Sequence, residues 1–101
     1  MKKIMLVCCA GMSTSLLVTK MQKVATEKSI EVEVFAVAEA EADKYYDDIN
    51  VMLLGPQVRY LLGKMEKALV DKKVPVQVID SMQYGMMNGE AVLMNAMDLI
   101  G

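Results

Sequence analysis

The chain has 101 residues, of which 54% are hydrophobic, and eleven basic against thirteen acidic side chains leave a net charge of −2. That length allows one core, expected to form a single domain over 1–101, and the apolar content is enough to fill it. The sequence contains no histidine, which excludes internal Ser-His-Asp or Cys-His catalysis and His-ligated metal sites, and its single arginine, Arg59, argues against nucleic acid as a partner.

Lys2 and Lys3 are followed by a segment, Ile4 to Gly11, that is too short and soon too polar for a secretory signal, and no run approaches the roughly 18–20 residues of a membrane span. A cytoplasmic protein with no direct membrane insertion is expected. Cys8 and Cys9 are neighbours, and a bridge between them would need a distorted peptide, so both thiols are expected to be reduced.

Residues 4–7 read as a first strand, and 8–15 then turn small and polar. Ser13, Thr14 and Ser15 are N-cap candidates for a first helix, in which Leu17, Met21 and Val24 recur at helical spacing before the polar end at Glu27, Lys28 and Ser29. Ile30, Val32 and Val34 alternate with Glu31 and Glu33, the pattern of an edge strand. The acidic, Ala-rich segment 38–48 predicts a short, solvated surface helix, and 51–54 a second wholly apolar strand that ends at Gly55-Pro56.

Val58, Leu61, Leu62, Met65 and Leu69 form an i, i+3, i+4 stripe opposed by Arg59, Lys64, Glu66 and Lys67, which predicts a helix. Val74, Val76, Val78 and Ile79 predict a fourth strand, placed at an edge because Pro75 cannot donate to a ladder. Asp80, Ser81 and Tyr84 after it predict capping and a turn. Beyond Asn88-Gly89, the residues Val92, Leu93, Ala96, Met97 and Ile100 mark a last amphipathic helix.

This alternation predicts an α/β fold: a four-stranded parallel sheet with helices on both faces. Strands 1 and 3 are apolar on both faces and belong in the centre, while the glutamates of strand 2 and the proline of strand 4 belong at edges, giving the order 2-1-3-4. Ligands of such sheets sit beyond the carboxyl ends of the strands, where connections diverge. Here that crevice is lined by the loop after strand 1 and by Gly55, Pro56 and Gln57.

The loop Cys8, Cys9, Ala10, Gly11, Met12, Ser13, Thr14, Ser15 sets a thiol at the end of a central strand, followed by a small-residue turn that feeds a helix. Successive backbone N–H groups can converge there on phosphate oxygens, Gly11 permits close approach, and three hydroxyls can add hydrogen bonds. A helix terminus contributes about 0.3–1 kcal/mol, up to about 2, whereas each charge-assisted hydrogen bond contributes roughly 1.5–3, so several loop amides outweigh the dipole. The loop lacks the lysine of a Walker-type site. It also lacks the arginine of a Cys-x5-Arg phosphatase loop, because Thr14 stands at that position. With no acid in the loop to protonate a leaving group, the expected phosphate-binding loop is one that holds phosphate on sulfur instead of hydrolysing it. Gln57 and Tyr84 are candidates for a supporting role, and Met12, Met82, Met86 and Met87 for an adaptable docking surface, the other methionines mainly filling the core.

Three ordered segments carry a resemblance: Cys8 to Leu17 in the order CCAGMSTSLL, then Leu53-Leu54-Gly55-Pro56-Gln57 with Tyr60, then Val78-Ile79-Asp80-Ser81 with Tyr84-Gly85. The chain resembles, over nearly its whole length, the IIB components of the bacterial sugar phosphotransferase system (PTS) of the lactose, cellobiose and diacetylchitobiose class. The resemblance implies a protein-phosphohistidine–sugar phosphotransferase subunit without cofactor. In it, Cys8 accepts phosphate from a phosphohistidine of a IIA protein and passes it to a sugar, expected to be a β-linked disaccharide, on a membrane-embedded IIC protein. The family pattern Cys-x-x-Gly-x-Ser selects Cys8, since Cys9 leaves one residue too few before Gly11; a second cysteine at position 9 departs from the small residue more usual there. A monomer peripherally associated with a transporter is implied. Two other readings stand beside this one: a low-molecular-weight phosphatase or arsenate-reductase-like enzyme, and a noncatalytic regulatory module of the same fold.

Overall fold

Two strands that carry the unbroken apolar runs 4–7 and 51–54 must be covered on both faces along those runs, and the structure places them in the middle of the sheet. The computed structural model describes residues 1–8 and 12–100, with the side chains of Met12 and Ser13 outside the described part. Among the described residues, β1 (Lys2–Cys8), β2 (Val32–Ala38), β3 (Val51–Leu54) and β4 (Val76–Val78) form a parallel sheet in the order β2-β1-β3-β4. Ile4, Met5, Leu6 and Val7 are each 0% exposed. In β2 only Val34 is buried, and in β4 none is, as their edge positions require. Pro75 sits just outside β4, where its carbonyl accepts from the Met52 N–H at 3.0 Å and its missing N–H costs no ladder bond.

Side-chain alternation divides the core into two layers. Ile4, Leu6, Val34, Val51 and Leu53 pack against Leu17, Met21 and Ala25 of α1 (Met12–Glu27) and against Val92, Leu93 and Ala96 of α4 (Gly89–Ile100). On the other face, Met5, Val7, Met52 and Leu54 meet Met65 and Leu69 of α2 (Leu62–Leu69) and Val58 and Leu61 of a 3-10 helix over Pro56–Leu61. The expected helical stripe at 58–69 is therefore present, but it is divided between a 3-10 turn and an α-helix, with Val58 at φ −119° breaking the regular winding.

The helix expected within 38–48 is a 3-10 helix over Glu39–Tyr45, anchored by buried Ala42. Lys64 Nζ lies 3.0 Å from Glu39 Oε2, and Lys72 pairs with Asp47, tying this segment to the α2 layer. The hydrogen bond and charge of Glu39 hold the Lys64 ammonium above its ordinary pKa. The pair is exposed, so solvent screening keeps its contribution small.

The expected N-caps of α1 do not serve as caps. The helix begins at Met12, so Ser13, Thr14 and Ser15 lie inside it, whereas a cap needs non-helical backbone angles. At the other end, Ser29 (φ 56°) is left-handed, with Ile30 N–H donating to Ala25 O at 2.8 Å and Ser29 N–H to Thr26 O at 3.2 Å. These two bonds form a Schellman motif with serine at the position that favours glycine.

Ser29→Gly should raise stability by about 1 kcal/mol, read from urea unfolding at unchanged slope, because it removes the left-handed strain. Gly89 packs directly on α1: a Cβ there would stand 2.8 Å from the Lys20 carbonyl carbon and 2.9 Å from Met21 N. Gly89→Ala should cost about 1–3 kcal/mol by pushing α4 off α1. Gly63→Ala, which would meet nothing within 4 Å, should be neutral or slightly stabilising in the same measurement.

Candidate functional site

Cys8 closes β1 opposite Ala38 of β2, at the carboxyl edge of the sheet. Alternation from Ile4 and Leu6 turns its side chain toward the α1 layer, and the residue is 1% exposed. On its other flank the ladder continues one step past β3, with Gly55 N–H donating to Val7 O at 3.0 Å. That bond brings the 55–57 turn alongside the end of β1. Of the lining expected for the crevice at this edge, the 55–57 turn therefore stands beside the end of β1.

Three connections that are remote in sequence meet there through one phenol. The Thr14 hydroxyl, on a residue 1% exposed in the first turn of α1, lies 3.0 Å from the Tyr84 hydroxyl. Gln57 Nε2 donates to the same Tyr84 oxygen at 3.1 Å. Tyr84 reaches this point because β4 runs into α3 (Ser81–Gly85), whose cap is built by the Asp80 carboxylate accepting from Met82 N–H at 3.1 Å and Gln83 N–H at 3.0 Å. The expected capping by Asp80 is present, and it orients the helix that carries the phenol.

Gly55 has a steric part in this arrangement. A Cβ on it would lie 2.6 Å from Gln57 Oε1, so the missing side chain leaves room for the Gln57 amide to fold back toward Tyr84. Sequence reasoning singled out Gln57 and Tyr84 separately but missed their bond to each other and to Thr14. Those pairs are 27 and 70 residues apart, and no local pattern signals them.

Cys9, Ala10 and Gly11 and the side chains of Met12 and Ser13 lie outside the described residues. Ser15 is exposed near the start of α1, and its carbonyl accepts from the Thr19 hydroxyl. Arg59 sits in the 3-10 helix after β3 and is exposed. Met82 and Met86 are exposed, Met87 is half-buried against the core, and Met5, Met21, Met52 and Met65 are core residues. Among the described residues no cluster of three His, Cys, Asp or Glu side chains could hold a metal ion, and no helix is long and apolar enough to cross a membrane.

Comparison with known proteins bears on this geometry. The family model described as PTS system, Lactose/Cellobiose specific IIB subunit, matches residues 3–95. A galactose-specific EIIB component of Lactococcus lactis subsp. cremoris is 44% identical over 104 residues, spanning 98% of this chain and 96% of its own. An oligo-beta-mannoside-specific EIIB component of Bacillus subtilis is 40% identical over 100 residues, spanning 99% and 97%. The solution structure of a cellobiose-specific IIB component from Borrelia burgdorferi superposes with a TM-score of 0.82 at 39% identity, covering 98% of this chain and 91% of that one. A lactose-specific IIB domain from Streptococcus pneumoniae, at 17% identity and a TM-score of 0.82, shares the fold. A match that runs almost from end to end, on a sheet whose central strand ends in a cysteine at its carboxyl edge, places the chain in the lactose/cellobiose-specific IIB family of the sugar phosphotransferase system, a family of phosphotransfer subunits.

Proposed function

We propose that Cys8 is the phosphoryl acceptor and that the chain relays phosphate from a IIA protein to a sugar on a IIC transporter. The observation that carries this reading is the placement of Cys8: last residue of the central strand, at the carboxyl edge, facing the layer that holds the first turn of α1. The thiolate attacks the phosphorus of a IIA phosphohistidine in line. A sulfur–phosphorus bond forms as the nitrogen–phosphorus bond breaks, and the electron pair stays on the imidazole, which takes up a proton. A sugar hydroxyl then attacks the phosphocysteine, its proton leaves, and the sulfur departs as thiolate.

In this reading the phosphate-binding loop is Cys9, Ala10, Gly11, Met12, Ser13, Thr14 and Ser15, whose backbone amides and hydroxyls hold the phosphoryl oxygens, and the Cys9 thiol is not the acceptor. Cys8 is 1% exposed, so docking of the donor must uncover the sulfur before transfer. Donor and acceptor dock in turn on the same edge, where Met82 and Met86 are 72% and 71% exposed and can adapt to both. The chain works as a monomer at the cytoplasmic face of its transporter. The sugar in this reading is a β-linked disaccharide; the names of the relatives include cellobiose and an oligo-beta-mannoside beside galactose.

Mixing with phosphorylated IIA should add one phosphoryl group to the intact mass, and prior alkylation of thiols should block it. Cys8→Ser should take up no phosphoryl group under conditions where Cys9→Ser is fully labelled, and neither the wild type nor Cys9→Ser should turn over an aryl phosphate. Full labelling of Cys8→Ser would overturn the assignment.

A further inference from the structure

The Tyr84 hydroxyl has one proton and two neighbours. Gln57 Nε2 can only donate, so its N–H occupies a lone pair of the phenol oxygen, at 3.1 Å. The phenol proton is left for another partner, and Thr14 Oγ1 lies 3.0 Å away, close enough to accept it. With the bond in that direction Thr14 accepts, and its own proton is left to be donated elsewhere. Because the residue is 1% exposed, bulk water does not compete for that proton. Thr14 and the side chain of Cys8 both lie on the α1 side of the sheet.

We propose that Gln57, Tyr84 and Thr14 form a directed hydrogen-bond chain that aims the Thr14 proton at a phosphoryl oxygen on Cys8, with Tyr84 and Gln57 as positioning residues that act through Thr14. The proposal rests on the reading of Cys8 as the phosphoryl acceptor. Its physical basis is differential. A hydroxyl donating to a phosphoryl dianion makes a charge-assisted bond that the unphosphorylated cysteine cannot match. The chain therefore favours the phosphorylated form over the resting form instead of stabilising both alike. Gly55 belongs to the device, since only a residue without Cβ leaves the Gln57 amide its place, 2.6 Å from where that carbon would stand.

The test uses the full chain and its IIA partner and reads two quantities: the phosphoryl-exchange equilibrium between the two proteins and the 31P resonance of the phosphocysteine. Tyr84→Phe and Thr14→Val should each shift the equilibrium toward phosphorylated IIA by about tenfold and move the resonance, while Thr14→Ser restores both. Gly55→Ala keeps every hydrogen-bonding group but displaces Gln57. It should shift the equilibrium in the same direction, and it carries the test should Tyr84→Phe loosen the fold. Combined with Tyr84→Phe it should add nothing, because a chain already cut cannot be cut again. A wild-type equilibrium and resonance in Tyr84→Phe, or additive effects in the double variant, would sink the chain while leaving Cys8 as acceptor. A wild-type protein that takes up no phosphate would instead remove the reading of Cys8, and the chain with it.

Discussion

Two-sided burial of β1 is the constraint from which the rest of the structure follows. Ile4 through Val7 have no exposed surface, and a strand of that kind has to be flanked by strands and covered by helices above and below. With β2 on one side and β3 on the other, the connections after β1 and after β3 run into different layers, α1 on one face and the 56–61 turn and α2 on the other. The end of β1 is left at the point where they part. A cysteine in the next position of that strand is delivered to the carboxyl edge by backbone geometry alone.

The apolar layers supply the stability, and the polar groups at the edge supply alignment. At about 25 cal/mol per Å² of buried apolar surface, the two core clusters outweigh a few hydrogen bonds that each contribute roughly 1 kcal/mol net. What the bonds among Thr14, Tyr84 and Gln57 do is fix three connections relative to one another, and one capped turn of helix at 81–85 is sufficient to hold the phenol in place. The close approach of Gly89 to the backbone of Lys20 and Met21 works in the same sense at a different scale, setting the seat of α4 against α1 and hence the layer above the site.

A carrier has a different requirement from a hydrolase. It must hold a reactive group without transferring it to water, so donors that favour the charged adduct are useful, and an acid beside the leaving group is not. The loop composition, with hydroxyls and a glycine but no lysine, arginine or carboxylate between positions 8 and 15, fits that requirement. The sequence has no histidine, so these 101 residues cannot themselves carry a phosphohistidine.

Hydrophobic periodicity was sufficient to read the sheet. Unbroken apolar runs at 4–7 and 51–54, the Glu alternation at 31–33 and Pro75 led to the order β2-β1-β3-β4 because each reports how many faces and edges of a strand are covered, a property encoded locally. The place of Cys8 at the carboxyl edge, with the 55–57 turn beside it, followed from that order. Helix details were less readable. The start of α1 at Met12, the 3-10 winding at 39–45 and 56–61 and the short α3 depend on which backbone groups find partners in three dimensions, and many side-chain patterns are compatible with several such solutions. The shared phenol oxygen was beyond any reading of the chain, because Thr14 and Tyr84 are 70 residues apart and become neighbours only once β4 has added to the sheet and Asp80 has capped the helix that follows. Local chemistry named the residues; the long-range contact that joins them is a product of packing.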